Sequence, residues 1–398
     1  MNKSRLDHWI CQTEGLPVRN REALNALQLR KLNETLARLH ARWGSRCPYP
    51  HSLASLDELA RLPFTTADML SAHPERFLLT SQGDVSRVIS GATSGTQGPA
   101  KRVFYTEADT RHTVGFFAAG IGEMLSPGES CLIAFPFTGP FGLGDLIGKA
   151  VEALGARPIP ADLRSWGALE AQTRQEKPDT FIGFPTTLLA LGRIYGADFP
   201  IRRALLSGDA CPQGVMEALE ALLGTSLFPH YGSRECGLGG AITCPAHEGM
   251  HLRENHIIPE IIDSHGNVLP EGAWGELVIT TIGLEAMPLI RYRTGDYTRL
   301  LSPCPCGSVT RRIDRTSRLD SRMEQLDSAL FPIEGLVDYE AVLGQGLTLR
   351  ARVLIPNLEQ ALISAAQSCF PGLPITAECQ PFDRKEAPLY PGKRYLKV

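Results

Sequence analysis

Ser90-Gly91-Ala92-Thr93-Ser94-Gly95-Thr96-Gln97-Gly98-Pro99-Ala100-Lys101 is the sharpest local feature of the chain. Val88 and Ile89 precede it and Val103, Phe104 and Tyr105 follow, so it reads as a loop between two β-like runs. Its glycines let the backbone turn tightly and present successive N–H groups to anionic oxygens. Ser90, Thr93, Ser94 and Thr96 add hydroxyl donors, and Lys101 adds a positive charge. Together these groups are suited to holding a polyphosphate. The run is not a GxxxxGK[ST] loop, because no Lys-Ser/Thr pair closes it, and it is not a dinucleotide fingerprint. On composition alone a surface Gly/Ser turn explains it equally well, and residues further along decide the matter.

Around this loop the pattern is α/β. Ser130–Phe137, Thr180–Phe184, Ala204–Leu206 and Leu277–Ile282 read as strands, whereas Gly142–Leu154, Thr187–Gly196 and Gly214–Leu223 read as helices. Such alternation favours a largely parallel sheet, whose ligands bind in loops beyond the strand C-termini. Before the loop, residues 1 to about 80 look helical. Leucines 24, 27, 29, 32, 36 and 39 within Glu22–Trp43 recur every three to four residues. After residue 319 a small unit begins, with a helix expected over Phe331–Leu343, a strand over Thr348–Ile355, a helix over Leu358–Cys369 and a strand over Ile375–Cys379. The expected domains are therefore 1–319 and 320–398, a large multi-layer α/β domain followed by a small α/β one.

Composition narrows the function classes. Lys and Arg number 40 against 43 Asp and Glu in 398 residues, so no strong positive field exists to bind nucleic acid or an anionic membrane. No uncharged apolar run reaches the roughly 18 residues of a spanning helix, and no signal-peptide pattern opens the chain. Cytoplasmic location is the default expectation. Most of the ten cysteines stand alone, as in a reducing compartment.

Several separated blocks carry a family resemblance. They are the 93–101 loop, Tyr231-Gly232-Ser233-Arg234-Glu235, Gly249-Met250-His251-Leu252, Ile258-Pro259-Glu260-Ile261-Ile262-Asp263, and the run from Gly275 through Arg291-Tyr292-Arg293-Thr294-Gly295-Asp296. In combination they resemble the adenylate-forming (AMP-binding) enzymes, and within them the branch of phenylacetate–CoA ligases and coenzyme F390 synthetases.

The resemblance implies an acyl-CoA synthetase-like fold with a mobile C-terminal domain, and it implies roles. Thr93, Ser94, Gly95, Thr96, Gly98 and Lys101 would cradle the ATP phosphates, with Thr96 also catalytic. Gly208 and Asp209 would line the adenine site, and Tyr231 and Gly232 would pack against adenine or the acyl group. Glu235 would hold Mg²⁺, Asp296 the ribose hydroxyls, and Arg318 would stand just before the interdomain hinge. Pro332 and Glu334 would start the first C-terminal helix, and Lys393 would be the catalytic lysine. Phe141, Phe184, Gly208 and Gly237 would border the carboxylate substrate. The chemistry needs such groups, because adenylation brings a carboxylate against the α-phosphate, and cations must offset two anions that repel.

Cys304-Pro305-Cys306-Gly307 forms a C-x-C-G knuckle, and Cys244 lies upstream with His247 three positions and His251 seven positions after it. Three cysteines and one histidine would make a closed tetrahedral zinc site, structural rather than catalytic. A similar set in relatives of the phenylacetate ligase branch favours His251, with His247 the alternate ligand.

The activity expected is ATP-dependent conversion of an aryl or medium-sized apolar acid to acyl-AMP, followed by transfer to CoA. The partners are then the carboxylate, ATP and CoA, with no nucleic acid and no membrane, and a homodimer is compatible. The hinge run Asp314-Arg315-Thr316-Ser317-Arg318-Leu319-Asp320-Ser321 departs from the family pattern. That departure keeps two alternatives open: acyl or adenylyl transfer to a non-CoA acceptor, as in F390 synthetases, or a catalytically inactive nucleotide-binding protein.

Overall fold

The structure, a computed structural model, describes residues 4–16, 20–91, 101–139, 142–318, 321–389 and 393–397. Thr93, Ser94, Gly95, Thr96, Gly98 and Phe141 lie outside the described residues. The chain packs as two units, Met1–Glu123 with His230–Leu319 and Met124–Pro229 with Asp320–Val398.

In the first unit the leucine repeat forms the helix Arg21–Trp43. The Asn20 side chain caps it by accepting from Ala23 N at 2.7 Å, and Gly44 ends it at φ 57. Leu24, Leu27, Leu32, Leu36 and Leu39 form its buried stripe. Helix Glu107–Ile121 starts in a reciprocal cap between Thr106 and Asp109. The Asp109 carboxylate also accepts from Glu285 N at 2.7 Å and Ala286 N at 3.1 Å, so one capping residue fixes a distant loop to this helix. Strands Arg87–Gly91 and Lys101–Tyr105 pair antiparallel with Gly91 opposite Lys101, which sets Lys101 at the exit of the glycine–hydroxyl run.

Two sheets complete this unit. One runs in the order Ile257–Ile262, Gly275–Thr281, Tyr292–Thr298, Ser317–Arg318, antiparallel throughout. Behind it Arg291 grips Glu260 with two bonds of 3.0 Å, and its Nη1 donates to Ala60 O at 2.7 Å and Leu62 O at 2.8 Å. The other joins Leu300–Leu301, Arg312–Ile313, Met250–Leu252, Ala241–Thr243 and the end of Ser226–Tyr231.

The second unit holds the expected parallel sheet. Thr180–Gly183 lies between Ser130–Ile133 and Arg203–Leu206, with Arg157–Pro160 and the start of Ser226–Tyr231 outside them. Helices Leu143–Ala153, Pro185–Tyr195 and Gln213–Leu223 alternate with these strands, as the apolar pattern predicts, and Trp166–Glu176 is a further one that the pattern did not mark. The C-terminal part adds helix Arg322–Leu330 and the hairpin Leu336–Leu343/Leu347–Val353. Helix Glu359–Cys369 follows, and Ile375–Pro381 then returns parallel to Leu347–Val353. The helix expected over Phe331–Leu343 is not formed. Leu336–Leu343 is a strand, and Pro332 and Gly335, at φ 85, lie in the turn before it. The first C-terminal helix therefore starts at Arg322, and not at Pro332 or Glu334. None of the described helices is long and apolar enough to cross a membrane.

The C-terminal part of this unit shares one apolar core with residues 124–229. Leu188, Leu189, Leu191, Val215 and Leu219 pack in the same cluster as Leu326, Leu330, Phe331, Leu336, Val337 and Tyr339. Helices Gln213–Leu223 and Arg322–Leu330 approach so closely that Gly214 N donates to Ser328 Oγ at 3.0 Å, and a Cβ on Gly214 would stand 1.9 Å from Ser328 O. Gly214→Ala is therefore expected to destabilise by roughly 1–3 kcal/mol through overpacking. Urea denaturation checks this, and an unchanged midpoint would mean that the two helices do not abut in solution.

Candidate active site

In the first unit, burial and pairing converge on Glu235. Its carboxylate, 5% exposed, receives Lys101 Nζ at 2.5 Å and Tyr292 OH at 2.9 Å, while Lys101 also donates to Tyr292 OH at 2.8 Å. The hairpin delivers Lys101, strand Tyr292–Thr298 delivers Tyr292, and the turn after strand Ser226–Tyr231 delivers Glu235. That turn requires Gly232, because a Cβ there would lie 2.0 Å from Leu238 O. Burial opposes the charge on Glu235, but the adjacent ammonium outweighs it, and the carboxyl is held below the usual range.

A second group lies along the same strand. Asp296 accepts from Tyr231 OH at 2.9 Å and pairs with Arg318 Nε at 3.0 Å. Asp296 and Arg318 are also register partners across the sheet, which explains how a short C-terminal strand brings the arginine in. Burial first, then Glu235, pushes the Tyr292 phenol well above its ordinary pKa, and burial with Asp296 does the same to Tyr231. Both phenols therefore remain donors near neutral pH. Tyr292 was not singled out by motif reasoning, although it stands inside the recognised Arg291–Asp296 run.

In the second unit, Gly208, at φ 84, abuts Phe184 and Phe135, whose ring centroids are 5.0 Å apart in an edge-to-face arrangement. They make an apolar wall at the C-terminal ends of parallel strands. Asp209 accepts from Ala210 N at 2.9 Å and from Arg394 N at 2.7 Å, so it holds the main chain next to Lys393. The Arg394 guanidinium is buried and donates to Asp327 at 2.9 Å, Asp338 at 2.6 Å and Tyr339 O at 2.9 Å. Arg394 is thus the anchor of the tail that carries Lys393. Its position directly after Lys393 was the one available signal, hidden among many basic residues.

The cysteine cluster also forms. One ligand atom each from Cys244, His251, Cys304 and Cys306 lies within 4.8 Å of every other. Cys244 and Cys304 sulfurs are 3.7 Å apart, and Cys306 Sγ is 3.4 Å from His251 Nε2. The other ring nitrogen, Nδ1, meets Thr310 Oγ1 at 3.1 Å, and Ser308 bridges Thr310 to Asp7 at 2.8 and 2.6 Å. Arg312 ties both halves together, donating to Ser302 O and Pro303 O on one side and Glu248 O on the other. His247, exposed and at φ 54, is not part of the group, so the histidine of the cluster is His251.

Gly237 lies in the first unit, where its missing side chain faces Leu284, Arg253 and Thr113.

Comparison with known proteins places the chain in a family. The AMP-binding enzyme family matches residues 92–286. The phenylacetate–coenzyme A ligase of Aromatoleum evansii is 33% identical over 345 residues, covering 81% of this chain and 76% of its own. That of Pseudomonas putida is 32% identical over 304 residues, covering 70% and 67%. In fold, the chain superposes on 2-hydroxyisobutyryl-CoA ligase in the postadenylation state with a TM-score of 0.75, 19% identity, and coverage of 95% and 89%. The chain therefore belongs to the AMP-binding enzyme family. It is an AMP-forming acyl–coenzyme A ligase in class, with the phenylacetate–coenzyme A ligases among its relatives.

Pairing at Glu235 makes a signed pH prediction. A depressed carboxyl adds stability at neutral pH that is lost as pH falls through its folded pKa. In Lys101→Met the carboxylate keeps its burial but loses its cation, costing about 3–5 kcal/mol when ionised. Protonation removes that cost, so the deficit against wild type should be largest near pH 7 and shrink towards pH 4. Urea titrations at several pH values check this, and a pH-independent deficit would overturn it.

Proposed function

We propose that the protein activates an aryl or medium-sized apolar carboxylic acid with ATP, releasing pyrophosphate, and that the CoA thiol then attacks the acyl-adenylate and releases AMP. The observation that supports it most is the Lys101–Glu235–Tyr292 group placed at the exit of the glycine–hydroxyl run. Relatives named for phenylacetate, and the wall of Phe135, Phe184 and Gly208, support the choice of acid.

Each residue then has work that its surroundings allow. Glu235 is a hard oxygen donor whose charge is balanced by an ammonium, a donor fit for Mg²⁺. Bound there, Mg²⁺ would supply charge neutralisation at the phosphates. Thr93, Ser94, Gly95, Thr96 and Gly98 bind phosphate oxygens, and Lys101 would turn from Glu235 to them once another cation took its place. Asp296 offers a carboxylate, fixed by Tyr231 and Arg318, to the ribose hydroxyls. Gly208 and Asp209 border adenine, and Lys393 offsets charge at the α-phosphate. Cys244, His251, Cys304 and Cys306 fit zinc by donor set and mutual distance, with Thr310 orienting the imidazole. Bound zinc would cross-link the loops at 244–250 and 302–308. The reaction is placed in the cytoplasm.

A second reading, transfer to an acceptor other than CoA, draws on one observation. Residues 322–353 share a continuous apolar core with residues 124–229, which resists rotation of the C-terminal part alone.

Pyrophosphate exchange over a panel of acids, with thioester formation followed with and without CoA, separates the two. Exchange with phenylacetate-like acids and CoA-dependent thioester is expected, and exchange without thioester favours the second reading. Glu235→Gln and Lys393→Ala should each lower exchange roughly 10²-fold or more. Nucleotide binding with no exchange for any acid would sink the enzymatic proposal. Metal analysis should find one zinc per chain, lost in Cys304→Ser/Cys306→Ser, and a ratio near zero in purified wild type would remove the zinc.

A further inference from the structure

Arg253 stands where a charge is least expected. It is 0% exposed in the run Leu252-Arg253-Glu254-Asn255-His256, where the charge beside it is answered. Glu254 is held by Arg21 and by Arg311, whose Nε lies at 2.7 Å, and Asn255 Nδ2 donates to Glu14 at 3.0 Å. Arg253 is not provided for. Among the described residues, none of its three guanidinium nitrogens has a hydrogen-bond partner, nor has either ring nitrogen of His256 or Nδ1 of His112.

These groups form one cluster. The rings of His112 and His256 lie 5.6 Å apart and near parallel, and the Arg253 charge acts on both. The guanidinium carbon lies 5.1 Å from the Phe116 centroid and 5.5 Å from that of Trp9. Ring faces offset part of the charge but accept no ordinary hydrogen bond. Nearby acids are committed: Glu14 pairs with Lys31 at 2.7 Å, and Asp109 serves the amides of Thr106, Glu285 and Ala286. Asn255 Oδ1 is also unpartnered, so water can satisfy some donors, yet water supplies no negative charge. Arg291, in the same unit, shows what this fold does with a structural buried arginine: a bidentate carboxylate and two carbonyls. A buried cation left without an anion costs several kcal/mol.

The position says which anion. Arg253 Nη1 lies 3.6 Å from where a Cβ on Gly237 would stand, and Gly237 follows Glu235 by two residues. Chain geometry puts that nitrogen within roughly 13 Å of the Glu235 Cα. We propose that Arg253, with His256 and His112, forms a buried anion subsite that receives a carboxylate or similar oxyanion at the end of the acid remote from the carboxylate that is activated. The inference rests on the reaction proposed above and keeps its aryl acid, but replaces a wholly apolar body by one that ends in a second anionic group.

Exchange kinetics and ligand-induced thermal shifts test it together. The probes are phenylacetate, 4-carboxyphenylacetate, 4-sulfophenylacetate, whose sulfonate cannot be adenylated, and inorganic sulfate. Wild type should favour the two substituted acids over phenylacetate at least tenfold in kcat/KM for exchange, and 4-sulfophenylacetate should raise its Tm. Arg253→Met should lose both the preference and the shift, and His256→Gln should reduce them. Replacing an unpaired buried charge by a methionine also predicts an unliganded Tm at or above wild type. A large fall in that Tm would make Arg253 structural and overturn the proposal. Preference for phenylacetate in wild type, or equal stabilisation by sulfate without discrimination among the acids, would overturn it too. Absence of exchange with every acid would defeat the proposed reaction, while the thermal shifts would still report on the subsite.

Discussion

Charge taken out of water has to be answered by charge, and the described parts of this protein are organised by that demand. Strand Tyr292–Thr298 alternates buried and half-buried residues, so Tyr292, Thr294 and Asp296 share one face. A strand of ordinary pleat thereby carries two site residues four positions apart. Opposite them the chain brings Glu235 and Arg318, each already matched by a partner of opposite sign. Lys101 is the cation that answers Glu235, and the carboxylate between it and Tyr292 is dehydrated already.

The second unit applies the same rule to its tail. Arg394 is sealed between Asp327 and Asp338, and Tyr339 OH bonds Asp327 at 2.7 Å, which leaves one guanidinium with two carboxylates and a carbonyl. Asp327 and Asp338 come from the helix and the strand that flank the turn at 331–335, and both belong to the apolar core shared with residues 124–229. Lys393 is consequently set next to a buried anchor. Any motion that carries Lys393 away must either break this buried group or take the strand and helix with it, against the apolar core that both share with residues 124–229.

Local periodicity made much of the fold legible. The leucines of Arg21–Trp43, the short apolar strands of the parallel sheet and the helices between them are visible because one face of each is buried and the spacing records it. Leu336–Leu343 was misread because Leu, Ala and Glu suit a helix, whereas pairing with Leu347–Val353 and the turn at Pro332 and Gly335 impose a strand. Candidate site residues were legible where chemistry clusters in sequence, as in Glu235, Asp296 and the Cys304–Cys306 knuckle. Tyr292, Arg394 and Arg253 were not, since each is defined by partners, or by their lack, up to about two hundred residues away, as with Lys101 and Tyr292, 191 positions apart. Which histidine stands with the cysteines was likewise a matter of backbone geometry, with His247 in an exposed turn and His251 on a buried strand.

Buried arginines in this chain make an internal comparison. Arg291 and Arg394 are fully engaged by carboxylates and carbonyls, and Arg312 by carbonyls that frame the cysteine cluster. A sequence that solves the problem three times has the means to solve it a fourth, and around Arg253 it places aromatic faces and histidines instead of an acid. Stability alone would favour a methionine there. Retaining a cation without a hydrogen-bonded anion beside Gly237 is understandable if its counter-charge arrives with the ligand, because the energy withheld from folding is then recovered on binding, and an acid without that charge recovers none of it.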